Sequence, residues 1–450
     1  MKESMSFSKY VAVGVMLFAL FFGAGNLIFP AQLGQLAGEN FWPAIIGFLI
    51  TGVGLPFLGV IAIGYSASSN LQDLASRIHP LYAVIFTSVL YLTIGPFFAA
   101  PRTGTVAFEI GITPYAGSGP LALLLFTAVF FSLVLWLSLN PAKIVDRVGK
   151  ILAPGIVVLL IVMIGAAIVN PMGAIQPATE GYVGNPFAKG FTEGYNTMDA
   201  IAALVFAIIV IKAVKAMGMK TNKGILNATF KAGVVASSLL GILYVGIAYI
   251  GATSVEQYGL FETGGPVLSS GAEHFFGAAG TALLAIVIIL SCMTTAIGLM
   301  IANAEYFHSL FPNISYKVFV IIFTTFTFVV SNFGLANIIT YSIPVLMLLY
   351  PLAISLILMA FTSKLFNHSR LVYVSATIVA FAIGIVDGLK ALAGTLGTEF
   401  AWLQPVVDFY TAYLPFYTDG LGWLIPVVVV MILTGIIARV MGPAANTAEA

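Results

Sequence analysis

Apolar runs of about 20 residues recur along the whole chain, and this feature limits its fold more than any other. The hydrocarbon layer of a bilayer requires about 20 residues of helix for each crossing. Hydrophobic residues make up 60% of the chain and charged residues only 8%, whereas roughly a quarter of a water-soluble chain is charged. The sequence therefore predicts an all-α polytopic membrane protein.

About twelve transmembrane helices are predicted from these runs. Their approximate bounds are 8–34, 41–66, 81–106, 119–138, 149–170, 188–213, 228–252, 281–304, 315–333, 336–361, 371–390 and 420–440. The first segment is too long and too interrupted for a cleaved signal peptide, so we expect it to remain in the membrane. No linker or change of composition divides the chain, so residues 1–450 are expected to form one transmembrane domain.

Lysine and arginine collect on one side of the predicted topology. If the amino terminus is inside, the cytoplasmic segments hold Lys2, Lys9, Arg77, Lys143, Arg147, Lys150, Lys212, Lys215, Lys220, Lys223, Lys231, Lys317, Lys364, Arg370 and Arg439. The outside holds Lys189 and Lys390, and Arg102 falls within the third span. Because cytoplasmic loops retain basic residues, both termini are predicted to be cytoplasmic.

The patterns that mark a soluble catalytic site are not found in the sequence. A single cysteine, Cys292, excludes an intramolecular disulfide and a multi-cysteine metal site. No phosphate-binding glycine loop, HExxH motif or nucleophile elbow is present. We therefore do not expect an enzyme. The expected partners are a small-molecule substrate and the lipid bilayer, with no nucleic acid and no obligate protein partner.

Two predicted spans contain residues that interrupt a helix. The first holds FFGAGNLIFP, residues 21–30, and the sixth begins with FTEGYNTMDAIAALVF, residues 191–206. The interruptions lie five spans apart, and an odd period inverts the second copy relative to the membrane. Broken helices at matching positions of inverted halves indicate a midplane binding site in a secondary transporter. We predict a five-plus-five inverted repeat over 8–170 and 188–361, followed by two additional helices over 371–440.

A broken helix exposes backbone groups that bind charged guests. Its free N–H groups attract a carboxylate, and its free carbonyl groups attract a cation. A zwitterionic amino acid and a sodium ion would use both kinds of group. Gly23 and Gly25 let the backbone approach a guest, and Asn26 offers an amide oxygen to a hard cation. Close helix packing at the glycines and a hydrogen bond from Asn26 to a neighbouring helix are the alternatives.

Three motifs resemble those of one known family. The block FFGAGNLIFPAQLGQLAGENFWPAIIGFLITGVGLPFLGVIAIGYS, residues 21–66, together with EGYNTMDAIAALVF and MTTAIGLMIANAEYF, resembles the bacterial branched-chain amino acid:cation symporter family, the BrnQ or LIVCS carriers. The resemblance covers essentially the whole chain. More remotely, GAGNLIFPAQ is similar to the first-helix motif of the leucine-transporter fold, in which the first and sixth helices are discontinuous.

The resemblance implies a secondary active symporter that imports leucine, isoleucine and valine by alternating access, with sodium as the coupling ion. A proton-coupled symporter of another neutral amino acid is the nearest alternative. A channel is less favoured, because few polar side chains mark the spans. A pocket lined only by apolar side chains would discriminate poorly among the three substrates, since one methylene group changes the binding free energy by only about 1 to 3 kcal/mol.

The resemblance also implies which residues bind the substrate and the cation. Groups at the two breaks would bind the substrate, namely Ala24, Gly25, Asn26, Gly194, Tyr195, Asn196, Thr197, Met198 and Phe206. First-span carbonyls and eighth-span hydroxyls would bind sodium, and this set is Ala19, Phe22, Asn26, Ser291, Thr294 and Thr295. For the two threonines, a hydrogen bond back to their own helical turn is the alternative.

Three ionisable residues in the spans are candidates for gating or proton coupling, because charged residues at membrane depth are usually functional. Glu193 and Asp199 would couple transport to protons. Their alternatives are a position at the outer interface for Glu193 and a cap on the inner half-helix for Asp199. Arg102 would either pair with an acid in an extracellular gate or extend to the interface.

Overall fold

The computed structural model describes residues 6–139 and 143–440, the side chains of residues 143–153 excepted. Most of this part of the chain is helical, and it contains no β-strand. The α-helices, numbered in chain order, are α1 Phe7–Phe21, α2 Gly25–Ala37, α3 Phe41–Leu49, α4 Leu55–Tyr65, α5 Leu71–Ser76, α6 Pro80–Leu92, α7 Ala99–Gly111, α8 Thr113–Ala116, α9 Pro120–Leu139, α10 Lys143–Val169, α11 Pro186–Glu193, α12 Asp199–Ala216, α13 Asn222–Tyr258, α14 Gly265–Leu310, α15 Tyr316–Ser331, α16 Leu335–Thr362, α17 Arg370–Thr395, α18 Gln404–Tyr413 and α19 Leu424–Val440. The prediction of an all-α fold is confirmed.

Helices of membrane-spanning character occur throughout the described residues. Seven are long and apolar enough to cross a bilayer, and the bent pair Pro186–Thr197 and Asp199–Ala216 makes up to eight. Four shorter apolar helices accompany them, and each of the twelve predicted segments overlaps one of these helices. The chain is a polytopic membrane protein. Of the basic residues used to orient it, the described part does not include the side chains of Lys2, Lys143, Arg147 and Lys150.

The first predicted span is broken, as expected. α1 ends at Phe21 and α2 begins at Gly25. Phe22 has φ −72° and ψ 92°, an extended conformation that stops the helical hydrogen-bond ladder. Gly23 and Ala24 therefore belong to neither helix, although the carbonyl oxygen of Ala24 accepts the first backbone hydrogen bonds of α2.

The sixth predicted span is broken by a left-handed residue. α11 ends at Glu193, a 3₁₀ turn covers Gly194–Thr197, and α12 begins at Asp199. Between them Met198 has φ 61° and ψ 8°, a conformation that costs a residue with a side chain about 1 to 2 kcal/mol. The two halves are bent by 46°. This interruption confirms the prediction, and such backbone strain is typical of functional sites.

The third span is also interrupted, which was not predicted from the sequence. Between α6 and α7, residues Thr93–Phe97 form a π-helical turn in which Gly95 has φ −92° and ψ −121°. Pro96 contributes to the break because proline cannot donate to the helical ladder. A side chain on Gly95 would overlap the side-chain amide of Asn303 on α14. The turn therefore depends on glycine to bring α14 close.

Both halves of the first span pack closely on α13. A Cβ on Gly34 of α2 would overlap the carbonyl oxygen of Ala248, and a Cβ on Gly251 of α13 would overlap that of Ala31. On α1, Gly14 lies similarly close to α13. Small residues at such crossings let helix backbones approach one another in membranes. The first span is thus held to the seventh at two levels.

Both halves of the sixth span pack in the same way on the second span. Gly190 of α11 faces the carbonyl oxygen of Ala44, and Gly47 of α3 faces that of Phe187. On α4, Gly59 lies against α12. Both halves of the sixth span therefore pack closely on the second span, just as both halves of the first span pack closely on the seventh.

These two pairings are related by a shift of five spans. In a five-plus-five repeat, the first span corresponds to the sixth, and the second span corresponds to the seventh. The contact between the first and seventh spans therefore corresponds to the contact between the sixth and second spans. A five-plus-five repeat requires this relation. The bounds of its halves, 8–170 and 188–361, stay a prediction, as does the grouping of 371–440 as two additional helices.

Candidate functional site

A small cavity lies between the two broken spans. Its volume is about 50 Å³, room for roughly three to five water molecules at 10 to 15 Å³ each. The residues that line it belong to both breaks and to the third and eighth spans: Leu20, Phe21, Gly23, Ala24, Gly25, Asn26, Ile94, Ala99, Arg102, Thr103, Thr197, Met198, Asp199, Ala202, Phe206, Thr295 and Leu299. The two interruptions therefore meet at one place in the fold.

The first break contributes backbone groups to this cavity. Gly23, Ala24 and Gly25 line it, and the backbone N–H of Gly23 donates to Oδ1 of Asn26 at 2.9 Å. The first N–H groups of a helix such as α2 have no partner within the helix. Because free N–H groups at a helix N-terminus attract negative charge, this wall suits a carboxylate.

The second break places a buried carboxyl group beside the first. Oδ2 of Asp199 accepts hydrogen bonds from Nδ2 of Asn26 at 2.5 Å and from the hydroxyl of Tyr244 at 2.7 Å. The amide of Asn26 also donates to the hydroxyl of Tyr244. Asp199 is only 3% exposed. Its side chain thus joins the two breaks, and does not cap α12 in the way considered as its alternative.

A buried cationic side chain, Arg102 of α7, borders the same cavity. It is 2% exposed, so the alternative in which it extends to the interface is wrong. Nη1 donates to the carbonyl oxygen of Asn196 at 2.7 Å, and Nη2 donates to the hydroxyl of Ser342. The guanidinium carbon lies 5.1 Å from the ring centroid of Phe29. Among the described residues no carboxylate forms an ion pair with it, and its Nε has no hydrogen-bond partner.

Three predicted substrate residues lie behind the cavity wall. Gly194 packs against Thr51, where a Cβ would overlap the threonine hydroxyl. Tyr195 stacks on Tyr350 with ring centroids 4.0 Å apart. The backbone carbonyl oxygen of Asn196 accepts a hydrogen bond from Arg102. These three residues support the wall and do not form it. The predicted substrate residues that do line the cavity are Ala24, Gly25, Asn26, Thr197, Met198 and Phe206.

Glu193 lies outside the cavity. Its Oε1 pairs with Nζ of Lys189 at 2.7 Å, and its Oε2 accepts a hydrogen bond from Nδ2 of Asn196 at 2.9 Å. The side chain is 26% exposed. An ion pair of this kind, one turn apart on α11, agrees with the interface position that was the alternative to a coupling role.

The predicted cation ligands meet only in part at the cavity. Thr295 of α14 lines it, and the threonine methyl group lies 3.3 Å from the ideal Cβ position of Gly23. The hydroxyls of Thr294 and Thr295 donate to the carbonyl oxygen of Ser291 at 2.9 and 3.1 Å. This back-bonding uses the proton of each hydroxyl and leaves oxygen lone pairs free to accept. The predicted ligands that do not line the cavity are Ala19, Phe22, Ser291 and Thr294.

The donors near the first break are neutral oxygens and one carboxyl group. In the part of the chain that the structure describes, no group of three or more histidine, cysteine, aspartate or glutamate residues is placed to hold a metal. Transition metals favour imidazole and thiolate ligands, whereas hard cations favour oxygen. The donor set therefore fits a hard cation such as sodium.

Tyr244, the hydrogen-bond donor to Asp199, was not predicted from the sequence. It is fully buried on α13, 45 residues from its partner along the chain. The chain contains 18 tyrosines, and no local pattern distinguishes this one. Only the packing of α13 against both breaks shows its role.

A larger cavity of about 440 Å³ lies toward the other end of α7. Glu109 and Glu262 line it, and the hydroxyl of Thr263 donates to Oε2 of Glu109 at 2.6 Å. Glu109 follows Arg102 by seven residues, so the two lie on one face of α7, about 10 Å apart along its axis. One face of α7 thus borders both cavities.

Comparison with known proteins gives consistent matches over the full length. The family model described as "Branched-chain amino acid transport protein" matches residues 6–441. The chain is 46% identical over 430 residues to the branched-chain amino acid permease BrnQ of Bacillus subtilis, covering 95% of this chain and 96% of that protein. It is 45% identical over 451 residues to the permease BraB of the same organism, covering 100% of both.

Two solved structures share the fold at low sequence identity. An inward-facing conformation of Mhp1 has a TM-score of 0.61 and 14% identity, covering 96% of this chain and 90% of that one. The Eremococcus coleocola manganese transporter has a TM-score of 0.60 and 13% identity, covering 98% and 97%. At these identities the likeness shows the fold alone.

Proposed function

We propose that this chain, which belongs to the branched-chain amino acid transport protein family, is a sodium-coupled symporter that imports leucine, isoleucine and valine by alternating access. Its homologues are named permeases, and it is a multi-pass membrane transporter rather than an enzyme. The coupling ion, the substrates and the direction of transport are the parts that require experiment.

One observation carries the proposal most directly. The cavity between the two broken spans is bordered by one buried cationic side chain, Arg102, and one buried carboxyl group, Asp199. A free amino acid carries one ammonium and one carboxylate group, so its two charges are complementary to such a site. Charged groups in a membrane interior require partners, and a zwitterionic guest supplies both.

Apolar residues form the rest of the lining and suit a branched aliphatic side chain. Phe206, Met198, Leu299, Leu20 and Ile94 are among them. The cavity of about 50 Å³ is small compared with the roughly 300 Å³ and more of typical ligand sites. Substrate binding is therefore expected to widen it, and Met198 can adapt because an unbranched thioether side chain fits irregular spaces.

Sodium is placed beside the first break in this proposal. The hydroxyl oxygens of Thr294 and Thr295 on α14 and the carbonyl groups of Ala19 and Phe22 at the end of α1 would supply neutral oxygen ligands. The support is that Thr295 lines the cavity and its methyl group packs against Gly23 of the first break. A cation held there would fix the first break in the conformation that the substrate needs, and Asn26 would border both guests.

We expect Thr295→Ala to raise the sodium concentration for half-maximal leucine uptake by about tenfold. Loss of one neutral ligand is worth roughly 1.4 kcal/mol, which corresponds to a factor of ten. The measurement is uptake of radiolabelled leucine into proteoliposomes under imposed sodium gradients, with Thr294→Ala assayed beside it.

Thr281→Ala is the matched control for this experiment. Thr281 is a buried threonine on the same helix whose hydroxyl donates to the carbonyl oxygen of Gly277 at 3.3 Å, and it does not line the cavity. Its replacement should leave the sodium dependence unchanged. If Thr294→Ala and Thr295→Ala both keep the parent's sodium dependence, the cation site is misplaced.

Proton coupling is the second candidate, and the buried carboxyl group of Asp199 is the observation that favours it. An equal proton gradient without sodium separates the two mechanisms in the same proteoliposomes. Uptake that is driven by the proton gradient and does not depend on sodium would refute sodium symport. The remaining conclusion would be that the protein is a proton-coupled carrier of neutral amino acids.

The orientation in the membrane is part of the proposal. We place both termini in the cytoplasm of a bacterial cell, because the predicted inner segments hold fifteen of the 18 lysine and arginine residues. Reporter proteins fused to the carboxyl terminus that are active only outside or only inside the cell test this assignment. We expect activity only from the cytoplasmic reporter.

A further inference from the structure

We propose that Arg102 binds the carboxylate of the transported amino acid and thereby selects substrates that carry one. This assignment rests on the proposed function and adds a side chain from the third span to a substrate site that was expected only at the first and sixth spans. It also assigns a role to a buried cationic side chain that forms no ion pair within the described part of the protein.

The environment of Arg102 is unusual for a cation at this depth. The side chain is 2% exposed, and its described partners are the carbonyl oxygen of Asn196, the hydroxyl of Ser342 and the ring of Phe29. None of these groups carries a negative charge. A buried charge without an opposite charge is unfavourable, so the site is expected to attract an anion.

The geometry leaves part of the guanidinium free for such an anion. An arginine side chain has five N–H donors, and the two bonds to Asn196 and Ser342 leave Nε–H and two others available. Arginine binds carboxylates through two parallel hydrogen bonds. Since Arg102 also borders the cavity, a carboxylate that enters the cavity can reach this free edge.

The buried carboxyl group of Asp199 supports the same assignment. Asp199 borders the cavity, yet no ion pair joins it to Arg102 within 4.0 Å in the described residues. A cationic side chain and a carboxyl group that border one cavity without pairing can accept the two ends of a zwitterion. The free N–H groups at the start of α2 would share the carboxylate with Arg102, and the carboxyl group of Asp199 would remain for the ammonium.

The test compares ligands that differ only at the carboxylate. Purified full-length protein in detergent with sodium is heated with leucine or with leucinamide, which keeps the ammonium and side chain but replaces the carboxylate with a neutral amide. The ligand concentration that produces a given rise in the unfolding midpoint reports affinity. For the parent, we expect leucine to act at a concentration about 100-fold lower than leucinamide.

Arg102→Gln is expected to remove this preference. Leucine affinity should fall about 100-fold while leucinamide affinity changes little, so that the two ligands become nearly equivalent. Arg102→Lys keeps the positive charge but loses the paired donors, and it should retain part of the preference with leucine binding about tenfold weaker. Arg102→Lys decides the question if Arg102→Gln does not fold.

Ser342→Ala is the control for a merely structural role. Ser342 holds Arg102 but does not line the cavity, so its loss should lower leucine affinity by no more than about fivefold and keep the preference over leucinamide. If Arg102→Gln or Arg102→Lys discriminates between the two ligands as the parent does, the assignment is wrong. If none of leucine, isoleucine and valine stabilises the parent, the proposed function fails and the assignment fails with it.

Discussion

Asp199→Asn is expected to lower leucine uptake by up to about 100-fold while the protein still folds. Asparagine keeps one oxygen in the position where Oδ2 accepts bonds from Asn26 and Tyr244, so the link between the two breaks can persist. The ionisable carboxyl group is lost, and with it an interaction with the substrate ammonium or the coupling cation. Charge-assisted hydrogen bonds are worth up to about 3 kcal/mol, roughly a factor of 100.

Leucine exchange across the membrane without any ion gradient distinguishes the two roles of Asp199. If the carboxyl group holds the ammonium, Asp199→Asn loses exchange as well as gradient-driven uptake. If it only carries a coupling proton, exchange persists and uphill uptake is lost. Uptake and exchange both near the parent's level would show that this carboxyl group has neither role.

Two control variants accompany this prediction. Asp408→Asn makes the same chemical change at an exposed position on α18, where the carboxylate accepts a bond from Gln404 at 2.8 Å, and it should transport normally. Tyr244→Phe removes one donor to Asp199 and leaves the carboxyl group. We expect a smaller loss of about fivefold, because one hydrogen bond contributes about 1 kcal/mol.

Gly251→Ala is expected to destabilise the folded protein by at least about 3 kcal/mol, the upper end of the usual cost of overpacking. The added Cβ would overlap the carbonyl oxygen of Ala31, and backbone atoms cannot move aside as the end of a flexible side chain can. α13 and α2 would have to separate, which would also disturb the first break. The measurements are the yield of monodisperse protein and the unfolding midpoint in detergent.

Gly241→Ala is the matched control on the same helix. No atom lies within 4 Å of the Cβ position at Gly241, and alanine is favoured over glycine in a helix by about 0.5 to 1 kcal/mol. This variant should be as stable as the parent or slightly more stable. An equal loss of stability in both variants would show that the tight crossing of α2 and α13 is not the cause.

The positions of the helices and of two breaks were predictable because their signals are local. Apolar runs indicate spans, and a short stretch such as GAGN interrupts a helix through its own residues. The break at Gly95 was missed because its cause lies partly on another helix, where Asn303 occupies the space of a side chain. Pro96 alone did not distinguish a broken span from a kinked one.

The side-chain partners at the cavity could not be predicted, since they lie far apart along the chain. Asn26 and Asp199 are separated by 173 residues, and Arg102 and Asn196 by 94. The sequence identified Arg102 and Asp199 as unusual, because charges are rare in spans. It could not show that Arg102 is buried without an acid, or that Tyr244 completes the network around Asp199.

The glycine crossings have a mechanical consequence. At each half of a broken span, a glycine lies in close contact with the neighbouring helix. The first, second, sixth and seventh spans are therefore expected to move as one rigid unit when the transporter changes state. The third span, which carries Arg102, has no such close glycine contact with that unit. The hydrogen bond from Arg102 to Asn196 crosses the boundary between the two. It therefore connects the third span to this unit at the edge of the cavity.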